Sequence, residues 1–282
     1  MITKIPVAEY RDLDGINFSS LKHMGESPKS YDWHKKHPIS ETPAMAFGTA
    51  FHAAVLEPEA FTAEYTVKPE GFDGRTKEGK EWKADAEARG LIVLDSDKAE
   101  QLAEMAANFR GHPLIAPFLT EPGTPEITLT WEDAETGLPC KGRLDRLLDD
   151  GRIFGVKTTA MFQARRFASH AWDLFYHAQW AFYYDGAIAN GLDVPKVAEG
   201  VISTQGPYDV ALYGVDKDIL KRGRDAYRGW LRVLADCIDR DVWPGQYPDE
   251  IQFRPPAYAG TGEFDLEHSI GAFVDALKTE VK

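Results

Sequence analysis

The sequence predicts an α/β chain of the α+β kind, a mixed central sheet flanked by helices. Three observations lead there. Apolar residues recur at helical spacing through the first 109 residues, the period changes to strict alternation beyond Pro125, and the later elements follow as strands, helix, strands, helix. In order, Asn17 is a candidate N-cap for one or two helices over 18–36, interrupted near Ser27-Pro28 because the residue before proline resists helical geometry. Phe47, Ala50, Phe51, Ala54 and Val55 mark a helix over 45–56 that Pro58 closes. Two polar helices with alanine-rich faces follow at 76–89 and 96–109, with a short strand at 91–94 between them.

From Glu126 to Trp131 apolar and polar residues alternate, and the Glu135-Thr136-Gly137 turn leads to a second strand over 140–148. Asp149-Asp150-Gly151 turns the chain into a third strand over 152–158, making an antiparallel meander. A long helix over 172–190, strands at 197–203 and 210–215, and a helix over 217–240 complete the expected core. The chain divides into one domain over 1–257 and a tail over 258–282, with a short helix at 266–279.

Composition narrows the function. A chain of 282 residues with 43% hydrophobic content buries a core without disulfides or a structural metal. Cys140 and Cys237 form no Cys-x-x-Cys pair, which excludes a zinc ribbon and fits a reducing, cytoplasmic setting. No stretch approaches the roughly 18 apolar residues of a membrane span, and residues 1–14 lack the basic start and apolar run of a secretion signal. The net charge of −13 argues against nucleic acid unless the basic residues are segregated. They are: residues 141–170 carry seven basic side chains against three acidic ones.

In a strand over 152–158, Gly155 and Lys157 share a face, and the tight turn brings Asp145 alongside them. A carboxylate beside a lysine suits metal-assisted phosphodiester hydrolysis, although an ordinary cross-strand ion pair has the same spacing. His52 follows Gly48 by one helical turn, where glycine would let another backbone or a ligand come close, and is either a metal ligand or a core histidine. Tyr176, Gln179 and Tyr183 form a polar aromatic stripe that could hydrogen-bond and stack on a nucleotide, or simply pack. Glu126 is a further carboxylate ligand or an exposed strand start.

Gly48-Thr-Ala-Phe-His52, Gly142-Arg-Leu-Asp145, Val156-Lys157-Thr158-Thr159 and Gln179-Trp-Ala-Phe-Tyr183 occur in one order. That order resembles the RecB-type nucleases of the PD-(D/E)XK superfamily. The stretches starting at Gly48, Arg75, Cys140, Tyr176 and Leu234 are similar, more closely, to exonuclease VIII (RecE) catalytic domains over residues 17–256. The resemblance implies a restriction-endonuclease-like core and a Mg²⁺-dependent exonuclease, Mn²⁺ substituting, that degrades linear double-stranded DNA 5′-to-3′ in phage or prophage recombination. It further implies a homo-oligomeric ring, such as a tetramer, and a RecT-like single-strand annealing partner. By motif match His52, Glu126, Asp145 and the Val156 backbone carbonyl hold the metal, Lys157 orients or activates water, and Gln179 and Tyr183 support the site, Tyr183 also contacting DNA. Arg143, Arg146, Arg165, Arg166, Arg75 and Lys77 are candidates for the phosphate-facing surface, or else solvated charges.

The pattern departs from the family at Gly155, where relatives carry the acid that is the second fixed metal ligand. Glycine weakens a strand interior by roughly 0.5–1 kcal/mol relative to alanine, so folding alone gives it no purpose there. Three explanations follow, in order of preference: an engineered inactive variant, a natural member that has lost hydrolysis, or one that recruits another carboxylate. The expectation is an exonuclease impaired at Gly155; the alternatives are an inactive DNA-binding or assembly protein on the same fold and an acidic protein-interaction module.

Overall fold

In the computed structural model, which describes residues 1–247 and 249–252, the chain opens with a two-residue strand, β1 (Ile2–Thr3), and a short helix, α1 (Val7–Asp12). The first helical region is three pieces: α2 (Phe18–Leu21), capped by Asn17, a 3-10 turn (Lys22–Gly25), and α3 (Pro28–Lys36), capped by Ser27. Next comes α4 (Pro43–Leu56), where Thr42 Oγ1 accepts the Met45 N–H at 3.2 Å and Pro43 fills the first turn, which needs no amide donor. Then follow α5 (Pro58–Glu64), β2 (Tyr65–Val67), α6 (Lys77–Ala88), β3 (Ile92–Leu94), α7 (Ser96–Gly111) and α8 (Ala116–Thr120). The short strand expected at 91–94 pairs in parallel with β2, which is too short to show a period.

The second half holds β4 (Gly123–Glu132), β5 (Pro139–Leu148), β6 (Ile153–Thr159), α9 (Ala164–Asp173), α10 (Tyr176–Ala189), β7 (Val197–Ser203), β8 (Val210–Val215) and α11 (Lys217–Arg240). The single helix expected over 172–190 is a correction: the chain breaks at Leu174-Phe175, where Phe175 takes a left-handed φ of 60°. The whole expected tail over 258–282, with its helix at 266–279, lies outside the described residues.

The main sheet has the order β1-β4-β5-β6-β7-β8 and is mixed: β6 and β7 are parallel, and every other neighbouring pair is antiparallel. The parallel pair follows from the α9–α10 crossover, because two strands cannot run parallel through a tight hairpin. On one face, Phe51 of α4 and Phe109 of α7 pack with Phe154 and Val156 of β6 and Ile202 of β7. On the other, Phe182 of α10 packs with Tyr227 and Leu231 of α11 and Phe18 of α2. Truncating a fully buried phenylalanine such as Phe154 costs about 3–5 kcal/mol, so the layers hold β6 in place firmly.

The sheet is not uniformly laddered. β4 and β5 pair along nearly their whole length but skip Glu126 and Asp145, between Pro125–Arg146 and Ile127–Leu144. β5 and β6 share only the pairs Arg146–Phe154 and Leu147–Ile153 before they part. A gap therefore opens in the sheet beside Asp145.

Candidate functional site

The site is built on that gap. Where the β5–β6 ladder stops, the Asp145 side chain replaces it, its Oδ2 accepting the Val156 N–H at 2.7 Å. Glu126 faces the same place because its backbone adopts φ 54°, a left-handed conformation unusual for a non-glycine residue and a recurrent mark of functional positions. His52 comes from α4 on the neighbouring layer, with Nδ1 at 3.9 Å from Asp145 Oδ1. One ligand atom each from His52, Glu126 and Asp145 lies within 4.8 Å of the others. Lys157 places its Nζ 4.0 Å from Asp145 Oδ2 and 3.4 Å from Glu199 Oε1.

Burial lowers the His52 pKa against the pull of Asp145, which keeps the imidazole neutral and free to donate a lone pair. Burial and then the Asp145 charge push the Glu126 carboxyl up to about 7, although Arg143 Nε donates to its Oε2 at 2.6 Å. Burial alone would depress Lys157, but Glu199 and Asp145 more than reverse this and hold it as an ammonium. Burial likewise raises Glu199, with Lys157 opposing. Two crowded carboxylates and a neutral imidazole form a donor set that a hard divalent cation would satisfy, and like-charge repulsion between them is relieved by such an ion. The residues present fit the metal implied by the sequence.

Gln179 and Tyr183 lie on α10, whose start at the Phe175 break aims this stripe at the site. Gln179 Nε2 is 3.5 Å from the Tyr183 hydroxyl, and both line a cavity with Asp145, Gly155, Lys157 and Glu199. Tyr183 has its ring against Gly142, where a Cβ would come to 3.0 Å from it. That is a supporting position for Tyr183. At Gly48 a Cβ would meet Thr158 Oγ1 at 3.6 Å, an ordinary contact, so the protein's own packing does not demand glycine.

Part of the basic patch at 141–170 is taken up by internal contacts, which corrects the expected phosphate-facing role of Arg143 and Arg146. Lys141 Nζ donates to the Tyr10, Arg11 and Leu13 carbonyls. Arg143, besides binding Glu126, donates to the Ile5 carbonyl at 2.9 Å, and Arg146 is buried and donates to the Glu121 carbonyl at 2.9 Å. Arg152 is engaged by Asp150 and Glu121. Arg165 and Arg166 remain exposed at the start of α9 without an ion pair among the described residues, and Arg166 lines a cleft with Ser203 and Gln205. Arg75 pairs with Asp73 at 3.1 Å and Lys77 with Glu81 at 3.8 Å, both exposed near the start of α6.

Sequence reasoning missed Glu199. Its signal was a single charge inside Val-Ala-Glu-Gly-Val-Ile-Ser, an otherwise apolar strand in which all seven residues are buried. An uncompensated carboxylate is costly there, so its presence asks for a use.

Residues 17–253 match the family model described as a PDDEXK-like domain of unknown function, DUF3799. The chain belongs to this family. Among solved structures, one from Eubacterium rectale described as a "putative exonuclease" is 12% identical, with a TM-score of 0.61 over 91% of this chain and 97% of that one. That similarity establishes a shared fold. The structure of SSO0001 is 11% identical over 78% of this chain and 87% of that one, with a TM-score of 0.27, too distant to bear on the fold. No curated protein matches the sequence.

Proposed function

We propose that the chain is a divalent-metal-dependent nuclease, and specifically a RecE-type exonuclease of linear double-stranded DNA. The observation that carries this is the convergence of His52, Glu126 and Asp145 beside Lys157, at the point where β5 and β6 part. Membership of a PDDEXK-like family and the fold shared with the Eubacterium rectale protein support it.

His52, Glu126, Asp145 and the Val156 backbone carbonyl would hold the ion, Mg²⁺ or Mn²⁺ by its oxygen-rich donor set. When bound, it would polarise a phosphate oxygen and acidify a water molecule. The protein's own share is positional. The Val156 N–H fixes the Asp145 carboxylate, and Arg143 fixes that of Glu126. Lys157, kept as an ammonium, orients the attacking water and neutralises charge building on the phosphate; it is poorly suited to removing the proton itself. Gln179 and Tyr183 hold the floor beneath them. Arg165 and Arg166 supply the phosphate contacts that Arg143 and Arg146 cannot.

Digestion 5′-to-3′ to leave a 3′ strand, a ring-shaped homo-oligomer around the duplex, and a RecT-like annealing partner in phage-type recombination extend the same proposal. Linear duplex labelled separately at its 5′ and 3′ ends, incubated with Mg²⁺ or Mn²⁺, tests it. Release of the 5′ label by the wild-type chain, and no release by Lys157→Ala or Asp145→Asn, is the expected result; the impairment expected from Gly155 would show as slow release. The absence of a side chain at Gly155 favours a second reading, a DNA-binding or assembly protein without hydrolysis, which predicts retention of DNA with no label released under any metal.

A further inference from the structure

We propose that Glu199 supplies, from the adjacent parallel strand, the carboxylate that Gly155 lacks, so that the acidic function has moved one strand over rather than disappeared. This rests on the metal-centre reading above. The register of β6 and β7 sets Gly155 directly beside Glu199. Residues paired in this way project to the same face, which lets one side chain occupy the volume that its partner vacates.

The occupation is visible in distances. A Cβ built on Gly155 would fall 2.5 Å from Glu199 Oε2, 2.6 Å from Oε1 and 2.7 Å from Cδ, so the Glu199 carboxylate would have to leave the place where it accepts the Trp180 indole N–H. The glycine is therefore explained: it is the residue that leaves room for the Glu199 carboxylate. Of that carboxylate's oxygens, Oε2 accepts the Trp180 indole N–H at 2.6 Å. Oε1 is buried, has no hydrogen-bond partner among the described residues, and stands 3.4 Å from Lys157 Nζ. Glu199 is 2% exposed, and a carboxylate buried to that degree with a free oxygen is costly unless a cation completes its surroundings. Lys157 is one such cation, and Asp145 Oδ2 lies 4.0 Å from the same ammonium. All of these line one cavity. Glu199 thus places its carboxylate against Gly155 and beside Lys157, in the space into which an acidic side chain at residue 155 would project.

A simpler account makes Glu199 a counter-ion for Lys157 and nothing more. The two differ in metal affinity. Mn²⁺ binding to the full chain is measured by the loss of the free-ion paramagnetic resonance signal, for wild type, Glu199→Gln, Asp145→Asn, Gly155→Asp, and Gly155→Asp combined with Glu199→Ala. Glutamine keeps an acceptor for Trp180 and the volume of the native side chain, so this variant should fold.

The proposal expects Glu199→Gln to weaken Mn²⁺ binding at least about tenfold, the scale on which even an outer partner of a ligand acts. It expects Gly155→Asp alone to gain no affinity, because the new side chain collides with Glu199, and the double variant to recover binding to within a few-fold of wild type. Wild-type affinity in Glu199→Gln, together with its loss in Asp145→Asn, overturns the proposal and leaves the metal centre standing. Wild-type affinity in Asp145→Asn overturns the metal centre itself, and the proposal with it.

Discussion

Among the described residues, two places gather histidine and carboxylate atoms to within 4.8 Å of one another, and they behave differently. His52, Glu126 and Asp145 are drawn from a helix and two strands, with a charged lysine beside them and a left-handed residue in the frame. His23, Glu26 and His34 come from one local helical turn and the helix after it. There the two rings stack at 3.8 Å with planes 23° apart, so their in-plane lone pairs run side by side instead of meeting at a point. Glu26 is exposed and already accepts the Ser30 hydroxyl at 2.7 Å. Ligand types at a suitable distance are thus insufficient; convergence of lone pairs and uncompensated charge separate the candidate centre from the cluster.

The largest effect that would break this contrast is on metal. Asp145→Asn should abolish nuclease activity by at least about 100-fold and remove Mn²⁺ binding, whereas His23→Ala with His34→Ala should leave both within about twofold. Metal binding lost in the histidine pair and kept in Asp145→Asn would exchange the two assignments.

Acidity gives the next largest difference, with opposite signs. The Glu126 carboxyl is raised from 4.5 to about 7 in the fold, so its contribution to stability is full below about pH 4.5 and is lost as pH rises through 7. The shift corresponds to about 3 kcal/mol at most, before allowance for its partial exposure. His23 is shifted below 6.5, first by burial, so its contribution is present above that pH and is lost as pH falls. Urea unfolding of chelator-treated protein at pH 5 and pH 8 should therefore show Glu126→Gln losing less stability on alkalinisation than wild type. Equal losses would mean that Glu126 is not held in a strained, charge-crowded setting.

A smaller effect concerns DNA. Replacing Arg165 and Arg166 by alanine should weaken duplex binding and reduce the magnitude of the salt-dependence slope by nearly 2, at about 0.9 for each phosphate left without its arginine. Arg75→Ala, whose partner is its neighbour Asp73, should change the slope little. The smallest is Gly48→Ala, which adds a Cβ in ordinary contact with Thr158 and should stabilise α4 by about 0.5–1 kcal/mol without loss of activity. A fall in activity would show that a ligand needs that space.

Much of this was legible in the residues. Alternation found β4, the turns at Glu135-Thr136-Gly137 and Asp149-Asp150-Gly151 delimited β5 and β6, and the strands at 197–203 and 210–215 and the helix at 217–240 fall where the sequence puts them. The break between α9 and α10 was hidden, since a left-handed Phe175 has none of the glycine or proline punctuation that normally announces one. His52, Asp145 and Lys157 could be singled out by spacing and motif. What Arg143 and Arg146 bind could not, because Ile5, Glu121 and Glu126 meet them only through strand pairing and chain ends brought from afar. Glu199 was readable in hindsight as one acid in an apolar strand, but its relation to Gly155 is a matter of register between parallel strands joined by two helices.

The span of the centre has a consequence for how the protein can be studied. Its side chains stretch from residue 52 to residue 199, on α4 and on four strands of one sheet, so no fragment with local order alone can assemble them. Contacts of such sequence separation form late and raise the contact order of the chain. An ion held there would distinguish the native ensemble from everything less complete, adding about 2.7 kcal/mol to unfolding when present at 100 times its dissociation constant. The unfolding midpoint followed against Mn²⁺ concentration would then read the affinity of the centre with no DNA in the tube.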